Sequence, residues 1–278
     1  LRRAAASVSL ARALSKLGVC SRREAVRWIA AGRVSVDGRT ERDAARRLDP
    51  RLSRVRVDGR RVREPARAVV IALHKPAGLL TTRADPAGRP TVYSLLAGVG
   101  AWVFPVGRLD KDTRGLLVLT NDHRLGQHLT DPGRHVPKTY HARIRGTPDA
   151  AALEALRQGV CLGDGEPTRP ARVRSLGTAR DGASWLEMVL TEGRNRQVRR
   201  MLRAVGHDVL DLVRVRIGEL GLEGLPPGRW RRLDAGETAL LSGGGRRPGP
   251  PQGEGISAPA LPGPAGRPVR SWSRYWSW

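Results

Sequence analysis

The sequence predicts an α+β protein in two parts: a small module of helices and hairpins, then a larger domain on a mixed, mainly antiparallel sheet. Three observations carry this. Val34-Ser35-Val36-Asp37-Gly38-Arg39 returns as Val55-Arg56-Val57-Asp58-Gly59-Arg60. From Val69 onward, apolar runs of strand length alternate with turn signals. Helical periodicity interrupts those runs at only three places, which argues against strict strand–helix alternation. A chain of 278 residues can close two apolar cores without disulfide or metal. The expected division is an extension over 1–9, a first module over 10–67, a second domain over 68–241 and a tail over 242–278. That tail carries 8 Gly and 7 Pro and is expected to be disordered.

In the first module, residues 10–31 predict two short helices. Gly18 ends the first, Ser21 to Glu24 form a capping box that opens the second, and Gly32 stops it. Ala25, Val26 and Ile29 make the apolar stripe, which turns Arg22, Arg23 and Arg27 toward solvent. The two valine–Asp–Gly repeats predict type I′ hairpins.

In the second domain the strand-like runs are VVIALHKP, WVFPVGRLD, GLLVLTND, KTYHARIRG, ARVRSL, WLEMVL and LVRVRIG. Helical patterns fall at 122–130, 149–158 and 195–205. The loop Gly107-Arg108-Leu109-Asp110-Lys111-Asp112-Thr113 sets a carboxylate among cations, which favours its ionised form. An ionised Asp110 can serve as nucleophile or base, although an Asp in such a loop is often only a turn residue. The helix after Glu192-Gly193-Arg194-Asn195-Arg196 has Val198, Met201, Leu202 and Val205 on one face. Arg199 flanks that face and can look into a cleft, while Arg196, Arg200 and Arg203 lie opposite, placed for phosphate or water.

Composition narrows the function classes. There are 50 Lys and Arg against 26 Asp and Glu, a net charge of +24. Residues 1–67 alone hold 19 basic and 7 acidic residues, the charge expected of a nucleic-acid anchor. Neither a dinucleotide-binding nor an ATP-binding glycine motif occurs, so no cofactor is expected. His123 and His128 are five residues apart, about 140° around a helix, and cannot share a ligand face, so no metal is expected either. Cys20 and Cys161 form no CxxC, which suits a reducing cytoplasm. No run approaches 18 apolar residues and residues 1–14 are a poor signal peptide, so no membrane partner is expected. Without a heptad or a long apolar edge, a monomer is the expectation.

Two resemblances sharpen this. LSKLGVCSRREAVRWIAAGRVSVDGR resembles the small RNA-binding domain first named from ribosomal small-subunit protein four. That implies RNA contact near Ser21, Arg22, Arg23 and Arg33. HKPAGLLTT, PVGRLDKDTRGLLVLTND, KTY, EGRNRQVRRML and GH followed by LVRVRIG closely resemble the bacterial ribosomal-RNA pseudouridine synthases of the RsuA/RluB-like family, in order, from about Leu10 to Leu241. The resemblance implies a catalytic domain of the pseudouridine synthase type, acting on ribosomal RNA or a ribosome-assembly intermediate without a cofactor. It makes Asp110 the catalytic aspartate, Tyr140 the active-site tyrosine and Arg199 the basic partner of the aspartate, with Arg108, Arg194 and Arg196 as further RNA contacts.

Uridine isomerisation breaks one glycosidic bond and forms another with no redox change, consistent with an inventory that lacks nucleotide and metal motifs. Asp110 could attack the sugar C1′ or the base C6, or remove the C2′ proton; the sequence leaves these open. Tyr140 offers a ring to stack on uracil and a hydroxyl for proton transfer at C5. PVGRLD and VPKTY favour the large-subunit (23S) over the small-subunit (16S) branch. The alternatives are a non-catalytic ribosome-assembly factor and a DNA-binding protein.

Overall fold

The computed structural model describes residues 7–49, 53–62, 68–163 and 165–241. The tail over 242–278, its expected disorder, and most of the 1–9 extension lie outside the described residues.

The first module begins within that extension. Strand β1 (Val8–Ser9) leads directly into helix α1 (Leu10–Lys16). Helix α2 (Arg22–Ala30) follows, then β2 (Val34–Val36), β3 (Arg39–Thr40), β4 (Arg47–Leu48), β5 (Val55–Val57) and β6 (Arg60–Arg61). The capping box is formed in full: Glu24 N–H donates to Ser21 Oγ at 3.1 Å, and Ser21 N–H donates to Glu24 Oε2 at 3.1 Å. Both repeats turn through a positive-φ pair, Asp37 and Gly38 at 52° and 88°, Asp58 and Gly59 at 48° and 76°. That is the backbone a type I′ hairpin demands. The repeats then pair with each other, β2 against β5, giving a sheet in the order β3-β2-β5-β6. Strand β1 pairs with β4 across the helices.

One element of the expected stripe fails. Ala25 and Ile29 are buried, but Val26 is exposed. It lies about 100° from Ala25, and Trp28 packs against the core instead.

The second domain runs β7 (Val70–Lys75), β8 (Phe104–Pro105), β9 (Arg114–Thr120), α3 (His123–Thr130), β10 (Lys138–Ile144) and α4 (Ala150–Gln158). It continues with β11 (Arg172–Thr178), β12 (Ser184–Leu190), α5 (Gln197–Ala204), β13 (Val209–Ile217), β14 (Leu220–Gly221), β15 (Trp230–Arg232) and α6 (Ala235–Leu241). All seven strand-like runs and all three helical patterns are present, although WVFPVGRLD yields only the two-residue β8. The central sheet is ordered β11-β12-β10-β13-β9-β7-β15, with β14 and β8 attached to β13 and β9. Among the described residues every pairing between these strands is antiparallel except the β13–β9 seam, where only two register pairs form, Val213 with Arg114 and Arg214 with Gly115.

Strand β7 alternates as a doubly covered strand does. Val70 and Ala72 enter a core with α3 and α6, whereas Ile71 and Leu73 enter a second core with Leu109, Leu117 and Leu119. A third core lies under α4 and α5 against β10 to β13. The two domains touch through an Arg83–Glu24 ion pair at 3.1 Å and through His123 Nε2 on the Ser15 carbonyl at 3.0 Å.

Candidate active site

The Asp110 loop is built from below. Gly107 adopts φ 75° and starts the turn, Leu109 is buried, and Thr113 N–H donates to the Asp110 carbonyl at 3.1 Å. Thr81 Oγ1 donates to the Leu109 carbonyl at 2.8 Å, and Gly78 N–H to that of Lys111 at 2.9 Å. Lys75 completes the truss. It is fully buried, and its Nζ donates to the carbonyls of Pro76, Lys111 and Thr113 at 3.0, 2.9 and 2.9 Å. An ammonium has three protons and all three are used. Burial pulls the Lys75 pKa down to about 8, against the smaller pull of Asp112 and Asp110 in the other direction.

The backbone of the loop is therefore fixed while the Asp110 side chain is left half-buried. It makes no hydrogen bond or ion pair with the described residues, and its charge reaches both Lys75 and Arg199. Arg199 projects from α5 and donates to the carbonyls of Asp112 and Val209, each at 3.2 Å. Its Nε is buried with no partner. Burial and then Arg196 lower its pKa, while Asp110, Asp112 and Asp211 act to raise it; the group remains a guanidinium. Tyr140 sits on β10 opposite Met188 and Arg214, next to a register shift, and packs against both the Leu109 core and the core under α5. Asp110 and Arg199 are thus brought within electrostatic reach of each other across the β9–β13 seam, and Tyr140, on β10 beside β13, packs against the core that holds Leu109.

Sequence reasoning missed three cations here. Lys75 had the legible signal: it shares the inward parity of Ile71 and Leu73 at the end of an apolar run. Arg214 is buried, donates Nε to the Leu116 carbonyl at 2.8 Å and leaves one Nη unpaired. Lys138 lies two residues before Tyr140 and so on the same face; burial, then Arg214, lowers its pKa to about 8.

The expected RNA contacts divide into two groups. Ser21 is engaged in its capping box. Arg33 forms a bidentate pair with Asp58 and lies over the Trp28 ring at 5.1 Å. Arg194 holds the carbonyls of Glu166 and Pro167 at 2.6 and 2.7 Å. Arg22, Arg23, Arg108 and Arg196 are exposed. Arg200, expected to face phosphate or water, is half-buried and donates to the Leu162 carbonyl. Arg196 is not helical: it caps α5 at φ 49°.

A groove of about 970 Å³ lies on the opposite face of the sheet, lined by Thr139, His141, Trp185 and Glu187. Thr139 and His141 flank Tyr140 and point the other way, so that groove is separate from the Asp110 end. No group of three metal-ligating side chains occurs among the described residues.

A half-buried aspartate with no side-chain partner among the described residues, on a braced loop in a chain that also carries a basic N-terminal module, points to an RNA-acting enzyme. Comparison with known proteins makes this specific. The family model described as RNA pseudouridylate synthase matches residues 69–204, and that of the S4 domain matches residues 8–52. The chain is 43% identical over 243 residues to ribosomal large subunit pseudouridine synthase B of Escherichia coli (strain K12), covering 84% of this chain and 82% of that one. It is 45% identical over 181 residues to ribosomal large subunit pseudouridine synthase E of Xanthomonas campestris pv. campestris, covering 60% of this chain and 96% of the relative. A solved structure described as a pseudouridylate synthase superposes with a TM-score of 0.60 at 27% identity, over 84% of this chain and all of that one. The chain belongs to the RNA pseudouridylate synthase family, with an S4 domain at its N-terminal side. It is an isomerase, and the reading as a non-catalytic assembly factor falls with that membership.

Proposed function

We propose that the protein converts a uridine of ribosomal RNA, in the large-subunit 23S molecule, to pseudouridine, with Asp110 as the catalytic group. The observation that carries this is the Asp110 loop, whose backbone is fixed by Lys75, Thr81 and Gly78 while its carboxylate takes no partner among the described residues. A carboxylate on a fixed loop and left unengaged is preorganised to attack or to accept a proton. The large-subunit target is supported by the names of the two relatives above.

The mechanism follows from the arrangement. The target base must leave its stack to reach Asp110, at a cost of about a few kcal/mol that the basic surface offsets through phosphate contacts. Arg199 orients the carboxylate and stabilises its charge when the glycosidic bond breaks. Tyr140 offers its ring to stack on the detached uracil while it turns from N1 to C5 linkage, and its hydroxyl to help remove the C5 proton. Arg22, Arg23, Arg108 and Arg196 supply phosphate contacts. The same reading makes the enzyme a cytoplasmic monomer. Tritium release from 5-tritiated ribosomal RNA transcripts tests it: wild type should release label from the 23S transcript, and Asp110→Asn should release none while binding RNA as before. Normal turnover by Asp110→Asn sinks the assignment.

A further inference from the structure

The parallel seam between β9 and β13 joins the strand that carries the Asp110 loop to the strand beside Tyr140, yet only two register pairs hold it. Side chains extend it. At its open end the Arg199 guanidinium bridges the two chains, donating to the Asp112 carbonyl on one side and to Val209 on the other. One step along, Arg114 of β9 grips Asp211 of β13 through both carboxylate oxygens, with Nε to Oδ1 at 3.1 Å. The Leu212 N–H also donates to Asp211 at 2.9 Å. Further in, Arg214 Nε reaches the Leu116 carbonyl.

Three carboxylates therefore lie within electrostatic reach of Arg199: Asp110, Asp112 and Asp211. Asp110 has no partner among the described residues, whereas Asp211 is fully claimed by Arg114. A carboxylate that lost such a bidentate partner would need another cation. Arg199 has a buried, unpaired Nε and is already anchored to the Val209 carbonyl, two residues from Asp211 on the same strand. An ion pair with Asp211, ionised on both sides, would outcompete its two bonds to neutral carbonyls.

We propose that Arg114 is a positioning residue: by occupying Asp211 it keeps that carboxylate from capturing Arg199, and so reserves Arg199 for Asp110. The proposal rests on the assignment of Asp110 and Arg199 above. It accounts for an arginine–aspartate pair 97 residues apart in sequence, part-buried beside the site, with no direct contact to the Asp110 side chain.

The test is a double-mutant cycle on the full chain, read as steady-state, multiple-turnover tritium release from 5-tritiated 23S transcript, with folding of each variant checked by thermal melting. Arg114→Gln should lower kcat roughly tenfold to a hundredfold with KM within about twofold, the signature of a lost transition-state interaction. Adding Asp211→Asn removes the competitor and should restore kcat to within about threefold of wild type. A simple clamp predicts the reverse, a double variant as slow as the single one or slower, and that result overturns the proposal. So does wild-type turnover by Arg114→Gln. If Arg114→Gln does not fold, Arg114→Lys keeps the charge and loses the fork; its smaller loss should again be recovered by Asp211→Asn. Asp110→Asn and Arg199→Gln run alongside: full activity in either sinks the underlying assignment rather than the role of Arg114.

Discussion

Replacing Lys75 with Met keeps the length of the buried stem and removes the ammonium that holds three loop carbonyls. Each carbonyl left without its donor costs about 1–3 kcal/mol, so the gross loss is about 3–9 kcal/mol. Against this, the variant escapes the burial of a charge. The drop of the Lys75 pKa from 10.5 to about 8 corresponds to about 3 kcal/mol at 1.36 kcal/mol per unit. The net expectation is a destabilisation of about 3 kcal/mol, read in urea with an unchanged m-value. The pH dependence has a definite sign. Between pH 8 and 10.5 the unfolded chain holds the Lys75 proton more tightly than the folded one, so the wild type gains stability from this group as pH rises. The Met variant lacks that gain, and the gap between the two should widen across the window. A loss below about 1 kcal/mol at pH 7 would refute the truss. A gap that narrows above pH 8 would show that the three carbonyls and two aspartates outweigh burial.

Other expectations follow from the same geometry. Gly115 sits at φ 111° with its α-carbon pressed against the seam, and a methyl there would overlap the Arg214 carbonyl and lie 2.6 Å from Arg214 N. Gly115→Ala should therefore cost more than about 3 kcal/mol by urea unfolding, whereas the same change at Gly146, open on all sides, should cost only its backbone strain of about 1–2 kcal/mol. Changing exposed Arg22 and Arg23 together to Ala should weaken RNA binding and flatten the log–log salt slope by about 1.4–1.8, since each phosphate contact contributes about 0.7–0.9; an unaltered slope would exclude α2 from the interface. Tyr140→Phe should retain RNA affinity and slow the step that releases the C5 proton, while Tyr140→Ala should also lose the stacking surface. A wild-type rate in Tyr140→Phe would remove the hydroxyl from the mechanism, and equal rates in the two variants would remove the ring.

What was legible in the sequence was mostly local. The two Asp-Gly turns and the Ser21 box are decided within four residues, and the strand-like runs are long enough for parity to show. Strand β15 and helix α6 escaped because Trp230–Arg232 is short and charged, and because α6 depends on packing Leu240 and Leu241 against the β9 side of the core. Val26 escaped because it lies about 100° from Ala25, and Trp28, not Val26, completes the packed face of α2. At the proposed site, Asp110, Tyr140 and Arg199 were nominated through motif resemblance. Their supports were not, since Lys75 reaches carbonyls 36 and 38 residues away and Arg114 an aspartate 97 away. Pairings at that range leave no local pattern. The same is true of Arg33 and Arg194, whose types suit phosphate but whose donors are taken up 25 and 28 residues away, whereas Ser21 is engaged locally in its own capping box.

The most direct test of the central claim is a pseudouridine map of ribosomal RNA from cells with and without the gene, read as reverse-transcription stops after carbodiimide treatment. One 23S stop should vanish on deletion, return with the wild-type gene and stay absent with Asp110→Asn. Restoration by Asp110→Asn, or a deletion strain whose map is unchanged, would contradict it.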